Sequence, residues 1–321
     1  MTNEKLRSQK IIVITGPTAT GKSAMGVQLA GQIDGEIVSA DSMQIYKYMN
    51  IGTAKPTLAE RDSVAHHLID FVHPSEDYSV ARYIKDASDS IDGILQRGKR
   101  PILVGGSGLY IDSLLSGRNF SARGDAALRR ELEAEYDNTG GEAMLKKLGT
   151  FDPQSAEKLH ANDKKRIVRA LEAFLTTGKT ISEHDAETKA IPPRYNAVKY
   201  ALTFSDREKL YTRIDNRVDK MISLGLVDEI KSLLKMGISN KCTSMQAIGY
   251  KEICAAITDG TDIEMAIEKI KMESRRYAKR QLTWLRRDDD VKWIEWEDAL
   301  NFEVFMDCHA ICGRLAMTSL E

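Results

Sequence analysis

The stretch Gly16-Pro17-Thr18-Ala19-Thr20-Gly21-Lys22-Ser23 fits the pattern G-x-x-x-x-G-K-[ST]. It stands between an apolar run, Ile11-Ile12-Val13-Ile14, and a segment of helical spacing from Ala24 to Ile33. A phosphate loop needs that order, strand then loop then helix. Successive backbone N–H groups at the helix N-terminus cradle phosphate oxygens, the Lys22 ammonium neutralises them, and the Ser23 hydroxyl can ligate Mg²⁺. The motif therefore fixes a parallel α/β start to the chain and a diphosphate-binding set, residues 16 to 23. It does not say what is done to the diphosphate.

The rest of residues 10–115 keeps the strand and helix alternation of a parallel sheet: Glu36-Ile37-Val38-Ser39-Ala40 and Pro101-Ile102-Leu103-Val104 read as strands, and Leu109 to Leu115 as an apolar helix. From about Arg118 to Pro193 strand signals vanish. Leu128, Leu132 and Tyr136, then Ile167, Leu171, Phe174 and Leu175, recur at helical spacing, with Asp163 as N-cap and Gly178 as stop for the second helix. Ala197–Phe204 reads as a returning strand, helices dominate from Asp206 to about Trp284, and Val291–Trp296 is a last strand. The expected architecture is an α/β P-loop parallel-sheet core with an all-helical insertion domain and a helical C-terminal part, divided at 1–117, 118–193 and 194–321. A length of 321 residues suits one core plus an accessory domain.

No run approaches the ~20 apolar residues of a membrane span, and the N-terminal decapeptide MTNEKLRSQK is too polar for a signal peptide. Cys242, Cys254, Cys308 and Cys312 are too few and scattered for a disulfide framework, which points to the cytoplasm. Cys308-His309-Ala310-Ile311-Cys312 lacks a second ligand pair at zinc spacing, and idle thiols are expected there. With 46 basic against 47 acidic residues the chain is not coated in positive charge, although local clusters remain open.

Nucleotide-hydrolysing P-loop proteins pair the loop with an apolar strand ending in an acidic residue for Mg²⁺. Here Ile102-Leu103-Val104 runs into Gly105-Gly106-Ser107-Gly108 instead. Leu68-Ile69-Asp70 is a possible substitute, beside His66, His67 and His73, which are expected to be structural. Asp41 directly follows the second strand, and the carboxyl ends of parallel strands line the ligand crevice. A carboxylate there can accept a proton from an incoming nucleophile; it can equally cap the turn in Ala40-Asp41-Ser42-Met43.

Gly16–Ser23, Asp41-Ser42-Met43-Gln44-Ile45-Tyr46, Ile51-Gly52-Thr53-Ala54-Lys55-Pro56, His67-Leu68-Ile69-Asp70 and Gly105-Gly106-Ser107-Gly108-Leu109-Tyr110 together resemble the tRNA dimethylallyltransferase (tRNA isopentenyltransferase) family. The resemblance continues through Lys165–Glu172, Ile248–Glu252 and Tyr277–Arg286, covering about residues 10–297. It implies transfer of a dimethylallyl group from its diphosphate to N6 of the adenosine immediately 3′ of the anticodon, with Mg²⁺ held at Ser23. It implies catalytic roles for Asp41 as base, for Lys22, and for Ser107 at a position where relatives carry Thr. Arg213 and Arg217 resemble arginines that grip the diphosphate; on their own chemistry they could as well pair with Asp215 or Asp219. The implied tRNA anticodon stem-loop contacts are Asp41, Ser42, Met43, Gln44, Arg129, Lys165, Arg166, Arg169, Gly249, Tyr250, Lys251, Lys279, Arg280, Gln281, Trp284 and Arg286, on a monomer with no membrane attachment.

The residues add their own argument for RNA. Ser274 to Arg287 holds Arg275, Arg276, Lys279, Arg280, Arg286 and Arg287 with no acidic residue, interleaved with Tyr277 and Trp284, which suits phosphate contacts and base stacking. Lys165 and Arg169 share a helical face and offer a second patch. Three rivals stand beside this reading: a small-molecule P-loop kinase, an adenylate isopentenyltransferase, and a non-catalytic RNA-binding NTPase.

Overall fold

In a computed structural model, which describes residues 10–117 and 125–296, six strands form one sheet in the order β3-β2-β4-β1-β5-β6. They are β1 Lys10–Thr15, β2 Gly35–Ser39, β3 His66–His67, β4 Arg100–Val104, β5 Asn196–Phe204 and β6 Val291–Trp296. Every pairing is parallel. The Cys308 to Cys312 segment lies outside the described residues. Among them, no helix is long and apolar enough to cross a membrane.

Strands covered on both faces read as continuous apolar runs rather than alternating ones, and β1 shows why. Ile11 and Val13 feed one buried cluster with Val38 and Leu103, while Ile12 and Ile14 feed another with Ile37, Ile102 and Val104. Successive side chains of a strand point to opposite faces, so a run of four apolar residues serves two cores at once. The register Ile12↔Ile102 and Val13↔Leu103 sets β1 beside β4, and Ile37↔Ile102 sets β2 on its other side. The C-terminal ends of β1, β2 and β4 thus lie side by side. The loops that leave them carry the phosphate motif, Asp41 and Ser107.

The chain divides into two compact units, one taking residues up to Leu115 and from Tyr195 onward, the other Ser116–Arg194. The helical segment expected at 118–193 lies within the second. In that unit the helices Ala126–Thr139, Gly141–Gly149 and Lys164–Thr177 bury Leu132, Met144, Leu148, Ile167 and Leu171 together. Gly178 ends the last of these with φ 72°, the left-handed cap that glycine adopts without strain.

Candidate active site

The phosphate loop folds back on itself. The Thr20 hydroxyl donates to the Pro17 carbonyl at 2.9 Å, and the Lys22 ammonium donates to the same oxygen at 2.6 Å. Gly16 turns sharply at φ 136°, with its α-carbon pressed on β5 so closely that a Cβ would lie 2.3 Å from the Leu202 carbonyl oxygen. Ser23 sits in the first turn of the following helix, Lys22–Ile33. A cavity of about 640 Å³ opens here, lined by Thr18, Ala19, Lys22 and Ser23 on one side and by residues 41 to 44 and 52 to 56 on another.

Asp41 takes both parts that its position allowed. One carboxylate oxygen, Oδ1, accepts from the Met43 and Gln44 N–H groups at 2.8 and 3.2 Å. That turn holds the carboxylate against the cavity, where its charge acts on both Lys22 and Arg217. Burial, reinforced by Arg217 and opposed by Asp41, pulls the Lys22 ammonium down from its usual value to about 7. Burial likewise depresses Arg217, with Asp41 opposing. Two basic groups and one carboxylate thus meet at the cavity.

Arg217 lines the cavity; Arg213 does not belong to the lining. Its Nε donates to the Ala19 carbonyl at 3.2 Å and its guanidinium stacks on Phe204 at 5.1 Å, so it braces the crest of the phosphate loop from outside. The alternative pairings do not form: Asp215 is bound by Arg275 at 2.6 Å and Asp219 by Lys271 at 2.8 Å. Ser107 accepts from the Ser42 N–H at 3.0 Å, which ties the loop after β4 to the turn that holds Asp41.

The substitute acid and the histidines are engaged by neighbours, and His66 also lines the cavity. Asp70 is occupied by Lys55 at 2.7 Å and Arg61 at 3.6 Å. His66 bonds the Val64 carbonyl, His67 bonds Glu36, and His73 bonds Ser75, each at 2.7 Å. Among the described residues no group of His, Cys, Asp or Glu could hold a metal unaided.

Several residues expected to touch RNA are held elsewhere. Tyr250 is wholly buried and its hydroxyl donates to Glu229 at 2.6 Å, so it has no surface to offer a nucleotide. Gln281 is also buried: its Oε1 accepts from the Thr18 N–H at 3.0 Å and its Nε2 donates to the Gly106 carbonyl at 2.9 Å. It is a strut between the phosphate loop and the loop after β4. Trp284 packs so tightly on Gly108 that a Cβ there would lie 2.4 Å from the indole ring, which removes that face from base stacking. Arg275 and Arg276 are paired with Asp215 and Glu273, so the run without acidic residues is less basic in three dimensions than in sequence. Gly249 donates its N–H to Glu252.

Gln281 nonetheless lines the cavity and Trp284 is only half-buried, and the remaining positions also keep access to solvent or to the cavity. Ser42, Met43, Gln44, Lys251 and Arg280 line the cavity, while Lys279 and Arg286 are exposed. In the helical unit, Lys165 and Arg166 are exposed. Arg129 and Arg169 both bind the buried Glu172 carboxylate, at 2.9 Å each, with side chains 45% and 43% exposed.

A family model described as IPP transferase matches residues 44–288. A tRNA dimethylallyltransferase of Acetivibrio thermocellus is 47% identical over 90% of this chain and 92% of its own length. One from Carboxydothermus hydrogenoformans is 48% identical over the same shares. This chain belongs to that family. Among solved structures, a tRNA isopentenylpyrophosphate transferase of Bacillus halodurans superposes with a TM-score of 0.72 at 42% identity, covering 97% of this chain and 98% of that one. A eukaryotic dimethylallyltransferase acting on tRNA reaches 0.81 at 33% identity, over 97% of this chain and 80% of its own. The protein is thus an enzyme of the tRNA dimethylallyltransferase family, built on a P-loop core.

Proposed function

We propose that this enzyme transfers the dimethylallyl group of dimethylallyl diphosphate to N6 of the adenosine immediately 3′ of the anticodon in tRNA, releasing diphosphate. The observation that carries the reading is the convergence of Lys22, Arg217 and the Asp41 carboxylate on one cavity beside the phosphate loop. An acceptor of a proton next to a diphosphate cradle suits alkyl transfer to an amine. A kinase would need the acidic strand end that Gly105 replaces.

In the reaction the N6–C bond forms as the C–O bond to diphosphate breaks, and the leaving group takes the electron pair. Negative charge grows in the cradle, where the loop N–H groups, Lys22 and Arg217 take it up. The amine proton passes to Asp41. Ser107, bonded to the backbone of Ser42, steadies the reacting centre. Arg213 serves the diphosphate through Ala19 rather than by contact.

Mg²⁺ fits as a companion of the donor. That ion keeps several waters and commonly takes one or two protein oxygens plus phosphate, and the cavity offers Ser23 with no self-sufficient metal cluster among the described residues. Bound there, it would neutralise charge on the departing diphosphate. The tRNA side draws on cavity-lining Ser42, Met43, Gln44, Lys251 and Arg280, on exposed Lys279 and Arg286, and on Lys165 and Arg166 of the helical unit. The target base must leave its stack to reach Asp41. A single chain is taken as the working unit, and the free Cys242 and Cys254 thiols favour a reducing, cytoplasmic setting.

The test is to incubate the protein with Mg²⁺, labelled dimethylallyl diphosphate, AMP, ATP and bulk tRNA. Label in tRNA is the expected result. Label in AMP selects an adenylate isopentenyltransferase, and ATP loss without label transfer selects an NTPase or kinase.

A further inference from the structure

Glu229 belongs to none of the motifs above, yet its carboxylate is the most heavily used on this side of the cavity. It sits in the first turn of the helix Leu226–Lys235, where an acidic side chain is favoured by the helix dipole. Its Oε2 accepts from the Asn50 and Ile51 N–H groups at 2.8 and 2.9 Å. Its Oε1 accepts from the Gly52 N–H at 3.4 Å and from the Tyr250 hydroxyl at 2.6 Å. Tyr250 in turn packs on Gly52 so closely that a Cβ would lie 2.4 Å from its ring. One carboxylate thus gathers three consecutive backbone donors of a segment almost 180 residues away in sequence.

That segment is the start of the cavity wall, since Gly52 to Pro56 line the site. The wall then acts on the catalytic turn: the Thr53 and Ala54 carbonyls both accept from Gln44 Nε2 at 3.2 Å, and the Gln44 N–H bonds Asp41 Oδ1 at 3.2 Å. Ala54 holds φ 46°, a left-handed conformation that persists in a non-glycine residue only where surroundings enforce it. Lys55 secures the far end of the wall through Tyr46, Asn50 and Asp70. The phosphate loop takes no bond from this network. We infer that Glu229 is a positioning residue for the nucleoside side of the reaction: it fixes the wall at Asn50–Gly52 and, through Thr53, Ala54 and Gln44, the aim of the Asp41 carboxylate. This rests on the prenyl transfer to tRNA proposed above.

The test varies tRNA and dimethylallyl diphosphate separately for the wild type, Glu229→Ala, Glu229→Gln and Tyr250→Phe. Misplacing a reacting group by about 1 Å can cost ~10²-fold, so Glu229→Ala is expected to lose about 10- to 100-fold in kcat/KM for tRNA with KM for the diphosphate donor little changed. Glu229→Gln should recover part of that loss, because its carbonyl can still accept from Asn50 and Ile51 while its amide, which cannot accept from Gly52, donates to the Tyr250 oxygen. Should Glu229→Ala fail to fold, Tyr250→Phe decides: a smaller loss confined to the tRNA side supports the inference, and unchanged kinetics overturn it. Wild-type kinetics in Glu229→Ala, or a rise in KM for the diphosphate donor as large as the loss in kcat/KM for tRNA with no recovery in Glu229→Gln, also overturn it. A wild type that transfers no label to tRNA refutes the proposed function itself, and the inference falls with it; a wild type that transfers label while Glu229→Ala matches it refutes the inference alone.

Discussion

Two segments face one cavity and are held in different ways. The phosphate loop, residues 16 to 23, is closed largely by its own atoms: Thr20 and Lys22 bond Pro17, and Met25 N–H bonds Gly21. The wall from Asp41 to Pro56 stands on side chains from afar, with Glu229 on its backbone and Ser107 on its turn. The first can be written in eight consecutive residues. The second exists only once the sheet has brought three strand ends together, so in the proposed reaction the diphosphate and the nucleoside would be held by different parts of the chain.

The sharpest way to break this division is Asp41→Ala. Loss of a general base typically costs 10²–10⁴-fold, so turnover should fall by about that much while the dissociation constant for dimethylallyl diphosphate, read by calorimetry, stays close to the wild-type value. A matching loss of donor affinity would erase the distinction between the two segments. Gln281→Ala probes the strut that joins the phosphate loop to the loop after β4. It removes the brace from the half-buried Thr18 N–H and Gly106 carbonyl at the cavity wall, at about 1 kcal/mol for the lost hydrogen bonding, so diphosphate affinity should drop by up to about tenfold. An unchanged affinity would show the loop to be self-sufficient.

Acidity gives a gentler probe of the same loop. Lys22 is held down to about 7 by burial and by Arg217, so the empty site loses that proton as pH rises through 7. A bound diphosphate favours the ammonium, so binding above pH 7 should take up a proton and weaken by up to ~tenfold per pH unit. Below pH 7 the dependence from Lys22 should flatten. Calorimetry in buffers of different ionisation enthalpy measures the uptake directly. The smallest effects belong to the helical unit: Lys165→Ala or Arg166→Ala should weaken tRNA binding modestly and lower the salt slope by about 1 each, leaving donor binding alone.

Much of the fold was legible because its signals are local. Ile11–Ile14, Ile37–Ser39 and Ile102–Val104 are short apolar runs, and the structure places them in β1, β2 and β4. The helix Val80–Gln96 went unread although Tyr83, Ala87, Ile91 and Ile94 are buried at helical spacing behind a Ser79 cap; its periodicity could have found it. Gln281 and Trp284 sit among basic residues in sequence, but a helix presents different faces to solvent and to core: Gln281 braces two loops at the cavity wall and Trp284 is half-buried against Gly108. Glu229 had no sequence signal, because an acidic residue in a helix's first turn is ordinarily just a favourable end charge.

The most direct measurement is the position of the new bond. Wild-type protein and Asp41→Ala are incubated with Mg²⁺, dimethylallyl diphosphate and tRNA, and the RNA is digested and its nucleosides mapped by mass spectrometry. One dimethylallyl group on N6 of the adenosine 3′ of the anticodon is expected with the wild type, and almost none with Asp41→Ala. Unmodified tRNA with the wild type, or equal modification by both proteins, would contradict that expectation.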